Sequence, residues 1–328
     1  MALRRNINTH SKATGDTGFG TSATTQGGRF INRDGTFNIR RTGIPFFERF
    51  SLYTSMLTMS TWKFLGVVFL FYIGVNLGFA LIYWLNGVSH LIGVPSSGSQ
   101  IHDFIEAFFF SSQTFTTVGY GRISPGGMLT NTIASMESLI GVLSLAIATG
   151  MFYGRFTRPM ANIRFSKVAL IAPYQEMTAL MFRLAPYKDY HHLTDVEIRV
   201  VLGLTLEEHG KPVFKFYPLH LERNRIDSLS MNWTIVHPID EHSPIAGFSE
   251  KDIESADVEV MVTLRAFDHL YSSTVQQATS YTGREIHFGG KFIMMFRESE
   301  DGQTTILELD KLDRFDPVEL PAHKLVAG

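Results

Sequence analysis

Six consecutive residues, Thr116-Thr117-Val118-Gly119-Tyr120-Gly121, could do chemistry without any reactive side chain. Glycine alternates there with larger residues, and glycine adopts left-handed backbone at little cost. A strand alternating in handedness turns successive carbonyl oxygens to one side, so a row of dipoles can replace the water shell of a bare cation. Thr117 can add its hydroxyl oxygen below that row. Val118 and Tyr120 are expected to point away and wedge the loop against a short helix. Glu137 is a second candidate, because an ionisable residue inside a long apolar run is costly and faces protein or water, not lipid. Two orientations are open to it: the rear of the loop or a cavity, or a bond to the short helix before the loop. Covalent chemistry has no comparable candidate. The 328 residues contain no Cys, which excludes disulfides, thiolate metal sites and a Cys nucleophile. There is no G-x-S-x-G, no H-E-x-x-H and no phosphate loop, and Gly289-Gly290-Lys291 is followed by Phe292 where a phosphate loop needs Ser or Thr. His237, His242, His269 and His287 lack metal-ligand spacing and read as structural. The expectation is therefore no enzyme and no organic cofactor.

The elements that must position the loop are two apolar runs on either side of it. Phe64 to Leu85 is 22 residues without a charge, about 33 Å as a helix and enough to cross a bilayer core. Trp62 and Lys63 flank one end, Tyr83 and Trp84 the other, as interfacial anchors do. Leu129 to Tyr153 is the second run, followed by Arg155, Arg158, Arg164 and Lys167. Between the spans, residues 86–128 hold one basic residue, Arg122. The excess of Lys and Arg outside the hairpin predicts a multi-pass protein of the cell (inner) membrane with both termini cytoplasmic. Phe104 to Phe115 is apolar but too short to span, and irregular backbone at membrane depth must be buried in protein or line a wet path. A short helix and a re-entrant strand follow from that. The expected divisions are a disordered or extended tail at 1–43, an amphipathic interfacial helix at 44–61, and a membrane domain at 62–156. Within the last, the spans fall near 62–86 and 127–156, with the short helix near 102–115 and the loop at 116–121. Part of the tail could instead add an edge strand to the soluble half.

Residues 157–328 read as a soluble domain of their own. Val258, Val260, Val262 and Leu264 alternate with polar neighbours as in a half-buried strand. Val213 to Leu219, Ile286 to Phe288, Lys291 to Phe296 and Thr304 to Leu309 also read as strands. Many short strands broken by Gly, Pro and Asp predict an immunoglobulin-like β-sandwich. The fold class is thus a two-span all-α membrane domain, with pore helix and re-entrant loop, plus an all-β sandwich. The net charge of −2 argues against nucleic acid as a partner. Asn232-Trp-Thr matches a glycosylation sequon, but the expected topology leaves it unused.

Thr117-Val118-Gly119-Tyr120-Gly121 is the potassium-channel selectivity sequence that serves as a general example of carbonyl-lined filters. With it, Ala107 to Thr114, Gly154-Arg-Phe-Thr-Arg-Pro-Met-Ala, Asn232 to Pro244, Ala278-Thr-Ser-Tyr and Glu285 to Phe292 resemble inward-rectifier potassium channels of the prokaryotic type. The resemblance runs from about residue 44 to about 315. It implies a homotetramer with potassium ions in the filter as its one metal, passive transport, and gating by the soluble domain and membrane lipid, anionic phosphoinositide among the candidates. Leu145 matches a position that binds blocking cations in some relatives. Tyr153 matches the bulky residue at the pore gate, although helical spacing from Leu145 favours Phe152. With these two, Glu137 completes the gate and cavity set. Arg155 and Arg158 match basic positions near lipid phosphates, with Lys63 as a further lipid contact. For the two arginines simple interfacial anchoring is equally open. Asp195 matches an acidic position lining the cytoplasmic vestibule, and Arg265 stands where relatives often carry Glu. Gln113 replaces a Glu that many relatives hold behind the filter. The alternatives are a membrane-tethered ligand sensor with a closed or vestigial pore, and a non-selective cation channel.

Overall fold

The computed structural model describes residues 29–45, 50–95, 98–189, 192–208 and 211–321. They fall into two compact units, Thr42–Arg158 and, joined by contacts, Met1–Arg41 with Pro159–Gly328.

In the first unit, helix α1 is Leu52–Thr58, and it starts where the Ser51 side chain accepts the Thr54 N–H at 3.3 Å. The interfacial helix expected at 44–61 is therefore shorter. Ile44, Pro45 and Phe50 are not helical, and residues 46–49 lie outside the described residues. Capping by Ser51 fixes the start, and proline disfavours helix in the residue before it. Helices α2 (Thr61–Asn86) and α4 (Gly127–Phe156) contain 18-residue stretches with mean hydropathies of 2.3 and 1.6 and are long and apolar enough to cross a membrane. Between them, α3 (Gln100–Phe115) packs on both. Tyr83 of α2 meets Phe110 of α3 edge-on at 5.0 Å between ring centres, and Tyr72 meets Phe115 at 6.0 Å. The buried residues of α4 are Thr130, Ala134, Glu137 and Gly141, a stripe at helical spacing. A two-residue pair, β1 (Leu91–Ile92) with β2 (Ser124–Pro125), joins the chain ahead of α3 to the chain after the loop.

The second unit is a β-sandwich. One sheet runs β11 (Ser273–Thr282), β10 (Glu259–Asp268), β6 (Leu193–Glu208), β7 (Lys211–Pro218), with β8 (Arg225–Leu229) also on β6. The other runs β12 (Ile286–Phe288), β4 (Ala169–Tyr174), β5 (Met177–Pro186), β3 (Ile163–Phe165), with β9 (Trp233–Pro238) on β5. Val260, Val262 and Leu264 are fully buried with Leu202 and Leu204 of β6 and Leu184 of β5 in one core. The period of two along β10 and β6 builds that core, since alternate side chains share a face. The short α5 (Glu250–Ser255) closes one end under a capping box from Ser249 and Asp252.

The tail expected to be disordered or extended at 1–43 is ordered at 29–38. Its first 28 residues lie outside the described residues. Ile31 is 1% exposed and, with Phe30, packs on Phe214, Phe216 and Met261. The buried Glu259 carboxylate accepts the backbone N–H of Phe30 (2.7 Å) and of Ile31 (3.0 Å). Ser280 and Thr279 donate to the carbonyls of Ile31 and Arg33, and Arg29 and Arg33 both pair with Glu285. Side chains, not a strand ladder, hold this strap, so the segment carries no strand periodicity to find. Replacing Glu259 by Ala strands two backbone donors, each worth about 1–3 kcal/mol when buried. Denaturant unfolding should show that loss, and trypsin should cut faster at Arg29 and Arg33.

His237 is 3% exposed. The His220 carbonyl, 2.7 Å from Nδ1, can only accept, so Nδ1 carries the proton and Nε2 accepts from the Ser243 hydroxyl at 2.9 Å. Burial pushes the imidazole below its usual value of 6.5, against smaller opposing effects of the His220 carbonyl and Asp240. The unfolded chain therefore takes up a proton at 6.5 that the folded chain resists. Stability from this group is complete above that pH and is lost as pH falls below it. Melting temperature should drop through this window, and the slope should be smaller in His237→Gln.

Candidate functional site: the loop between the two long helices

The end of α3 holds the start of the loop. The Gln113 carbonyl accepts the N–H of Val118 (3.0 Å) and of Gly119 (3.3 Å), and the Thr114 carbonyl accepts that of Thr117 (3.1 Å). Helix-end carbonyls lacking partners are thereby satisfied, while the chain leaves the helix. Thr117, Gly119 and Gly121 take φ of +61°, +51° and +79°, and Val118 and Tyr120 are absent from the positive region. Such alternation is what a row of carbonyls turned to one side requires. A Cβ at Gly119 or Gly121 would meet nothing within 4 Å, so the dihedral, not space, selects glycine. At Thr117 a side chain bears the same backbone, at a cost of about 1–3 kcal/mol.

Val118 and Tyr120 are 52% and 80% exposed, so α3 of the same chain leaves much of their surface open. The backbone bonds to α3 stop at Gly119. Farther on, Arg122 reaches back to pair with Glu106, a mostly buried acid in the middle of α3. Glu106 went unnoticed in the sequence, although Arg122, the sole basic residue between the spans, was a signal that an acid should meet it. The pair ties the far end of the loop to the helix that holds its near end.

Glu137 does not face a cavity, and its grouping with the gate is corrected. It lies on the α4 stripe against α3, with no exposed surface. Tyr83 donates to its Oε2 at 2.7 Å, and its Oε1 bonds the Ser111 hydroxyl of α3. Ser111 also contacts Asn76 of α2 at 3.1 Å. Two residues toward the loop stands Gln113, whose carbonyl carries the strand. At Gly141, on the same stripe, an added Cβ would lie 2.0 Å from the Phe115 carbonyl oxygen, so the backbones of α4 and α3 touch.

Leu145 and Tyr153 are exposed within the chain. Phe152, the rival by helical spacing, is taken up by an edge-on contact with Phe64 at 4.9 Å. Arg155 is half-buried. It donates to the carbonyls of Met56 (2.5 Å) and Met59 (2.8 Å) and lies 4.8 Å from the centre of the Phe64 ring. The guanidinium serves the open C-terminal end of α1. Arg158 and Lys63 are exposed. In the β unit, Asp195 has φ +50° at a bulge in β6, where pairing with β10 shifts register between Arg265 and Phe267. Its carboxylate pairs with Arg225 at 2.8 Å. Glu197 pairs with Arg199 at 2.9 Å and stands opposite Arg265 in the ladder. The acidic positions are thus matched by bases.

Two apolar helices joined through a short helix and a strand of alternating handedness, with a β-sandwich in the same chain, define a pore-loop ion-channel subunit. A family model described as "Ion channel" matches residues 57–158, and one described as "Inward rectifier potassium channel C-terminal domain" matches residues 163–327. The inward rectifier potassium channel Kirbac3.1 of Paramagnetospirillum magnetotacticum is 34% identical over 85% of this chain and 92% of its own. Human inward rectifier potassium channel 18 is 27% identical over 80% of this chain and 65% of its own length, and human ATP-sensitive inward rectifier potassium channel 8 is 27% identical over 83% and 70%. The chain thus spans about two thirds of the length of those human relatives. It belongs to the inward rectifier potassium channel family, a family of channels and not of enzymes.

Gly141→Ala tests the contact behind the loop. The added methyl has to push α4 off the end of α3, a core overpacking of typically about 1–3 kcal/mol. Thermal stability of the detergent-solubilised protein should fall, and ion flux through it should fall further than a Gly150→Ala control, whose Cβ would meet nothing within 4 Å.

Proposed function

We propose that four copies of this chain surround one axial pore and pass potassium passively down its gradient. The observation that carries this is the alternation of handedness at Thr117, Gly119 and Gly121. One chain offers one wall of carbonyl oxygens, and a cage that replaces a hydration shell needs several walls around an axis. The exposed Val118 and Tyr120 support the same reading, since apolar and aromatic surface of this kind is buried against a partner. Thr117, Val118, Gly119, Tyr120 and Gly121 form the ion path, with potassium as its cargo. Leu145 lines the path below it and Tyr153 closes it. Leucine at 145 offers no charge to a blocking cation, so block from within the membrane pore is weak.

Both termini lie in the cytoplasm and the chain sits in the cell (inner) membrane, as the basic residues flanking the hairpin favour. Lys63 and Arg158 meet anionic headgroups, while Arg155 acts inside the subunit. The β-sandwich and the lipid bias opening. Because Asp195 and Glu197 are each paired with an arginine, the vestibule concentrates cations weakly.

Purified protein in liposomes should take up rubidium and potassium, with reversal potentials in mixed potassium and sodium that follow potassium. Gly119→Asp should abolish the signal. Uptake absent in every lipid composition would leave a membrane-tethered sensor. Reversal potentials indifferent to the two cations would leave a non-selective channel.

A further inference from the structure

The hydroxyl of Ser111 has one proton and stands between two acceptors. Asn76 Nδ2 donates to the Tyr72 carbonyl at 2.7 Å, and a carbonyl can only accept, so the amide orientation is fixed. Asn76 Oδ1 then faces Ser111 Oγ at 3.1 Å and can only accept from it. The one Ser111 proton can serve this acceptor or Glu137 Oε1, but not both. Ser111 Oγ is also bonded to Glu137 Oε1, and Tyr83 supplies its own proton to Glu137 Oε2. Were the side chain a carboxylate, one of these two acceptors, Asn76 Oδ1 or Glu137 Oε1, would face a lone pair of Ser111 and no proton. A proton on Oε1 removes the conflict: Glu137 donates to Ser111, Ser111 to Asn76, and Asn76 to Tyr72. Each contact then has one hydrogen.

The surroundings agree with that count. Asn76, Ser111 and Glu137 have no exposed surface and Tyr83 has 1%. Among the described residues Glu137 forms no ion pair, and an unpaired buried charge is among the most costly groups a fold can hold. The one-way chain crosses from α4 through α3 to α2. It meets α3 two residues before Gln113, whose carbonyl holds Val118 and Gly119. Building on the reading of this chain as a potassium channel, we propose that Glu137 is a neutral hydrogen-bond donor and that Glu137, Ser111 and Asn76 are positioning residues for the filter. Nothing in this role requires charge. It requires a donor toward Ser111 and an acceptor toward Tyr83.

Glutamine supplies both, through Nε2 and Oε1, and alanine supplies neither. Potassium uptake and potassium-over-sodium reversal potentials are measured for the wild type, Glu137→Gln, Glu137→Ala and Ser111→Ala, each checked as an assembled oligomer by size. Glu137→Gln is expected to keep the permeability ratio within about threefold of wild type, and the two alanine variants to lower it on the order of tenfold, as loss of a buried bond implies. Glu137→Gln losing selectivity as Glu137→Ala does, while still assembled, would overturn the proposal by showing that the charge is needed. A second measurement covers variants that do not assemble. Infrared spectra of the wild type at about pH 8, where ordinary carboxyls are ionised, should contain the carbonyl stretch of an un-ionised carboxyl. Its absence overturns the proposal even if every variant misfolds. Should the wild type pass no potassium, the channel reading fails, and the infrared result still decides the state of Glu137.

Discussion

A row of peptide carbonyls facing one way has nothing in its own chain to bind. Parallel dipoles of this kind repel one another unless a cation or water lies on their axis. Backbone of this kind persists only if something else holds it. Here the holding is done at both ends by α3, through the Gln113 and Thr114 carbonyls at the start and the Glu106–Arg122 pair at the finish. Everything behind the loop can be understood as support for α3. Gly141 lets α4 touch its end, and Tyr83 and Tyr72 pack their rings on Phe110 and Phe115. The helix is short because it is a bracket and not a span.

Much of this was legible in the sequence because two periodicities and one motif are strong signals. Uncharged runs on either side of Thr117 to Gly121 gave the hairpin, and alternation at Val258 to Leu264 gave a strand of the sandwich. What stayed hidden depends on partners that spacing does not reveal. Arg155 looks like an interfacial anchor in sequence, and only the fold brings the carbonyls of Met56 and Met59 to it. Glu137 had two orientations open, and the choice followed from its place on the Thr130, Ala134, Gly141 stripe. Phe30 and Ile31 lie in a tract rich in Gly, Thr and Arg that gives no hint of a fixed structure. Their order comes from Glu259, some 229 residues away in the chain.

The two units solve the problem of buried polar groups differently. In the β unit, Glu259 is satisfied by two backbone donors from the strap. Between the helices, backbone donors are already committed to the helical ladders, so side chains must satisfy one another. That is why hydroxyls and an amide gather around the acid of α4, and why the aromatic Tyr83 is there with its oxygen as well as its ring.

The grip of Arg155 on α1 carries a consequence for how substitutions in this chain should be weighed. Two carbonyls three residues apart are met by two nitrogens of one flat, rigid group whose face also rests on Phe64. Lysine has the same charge but a single rotating ammonium, and it cannot span both oxygens while lying flat on a ring. At this corner the molecule reads shape and not charge. A comparison that scores the two bases as equivalent would pass over an exchange that breaks the join between α1 and α4.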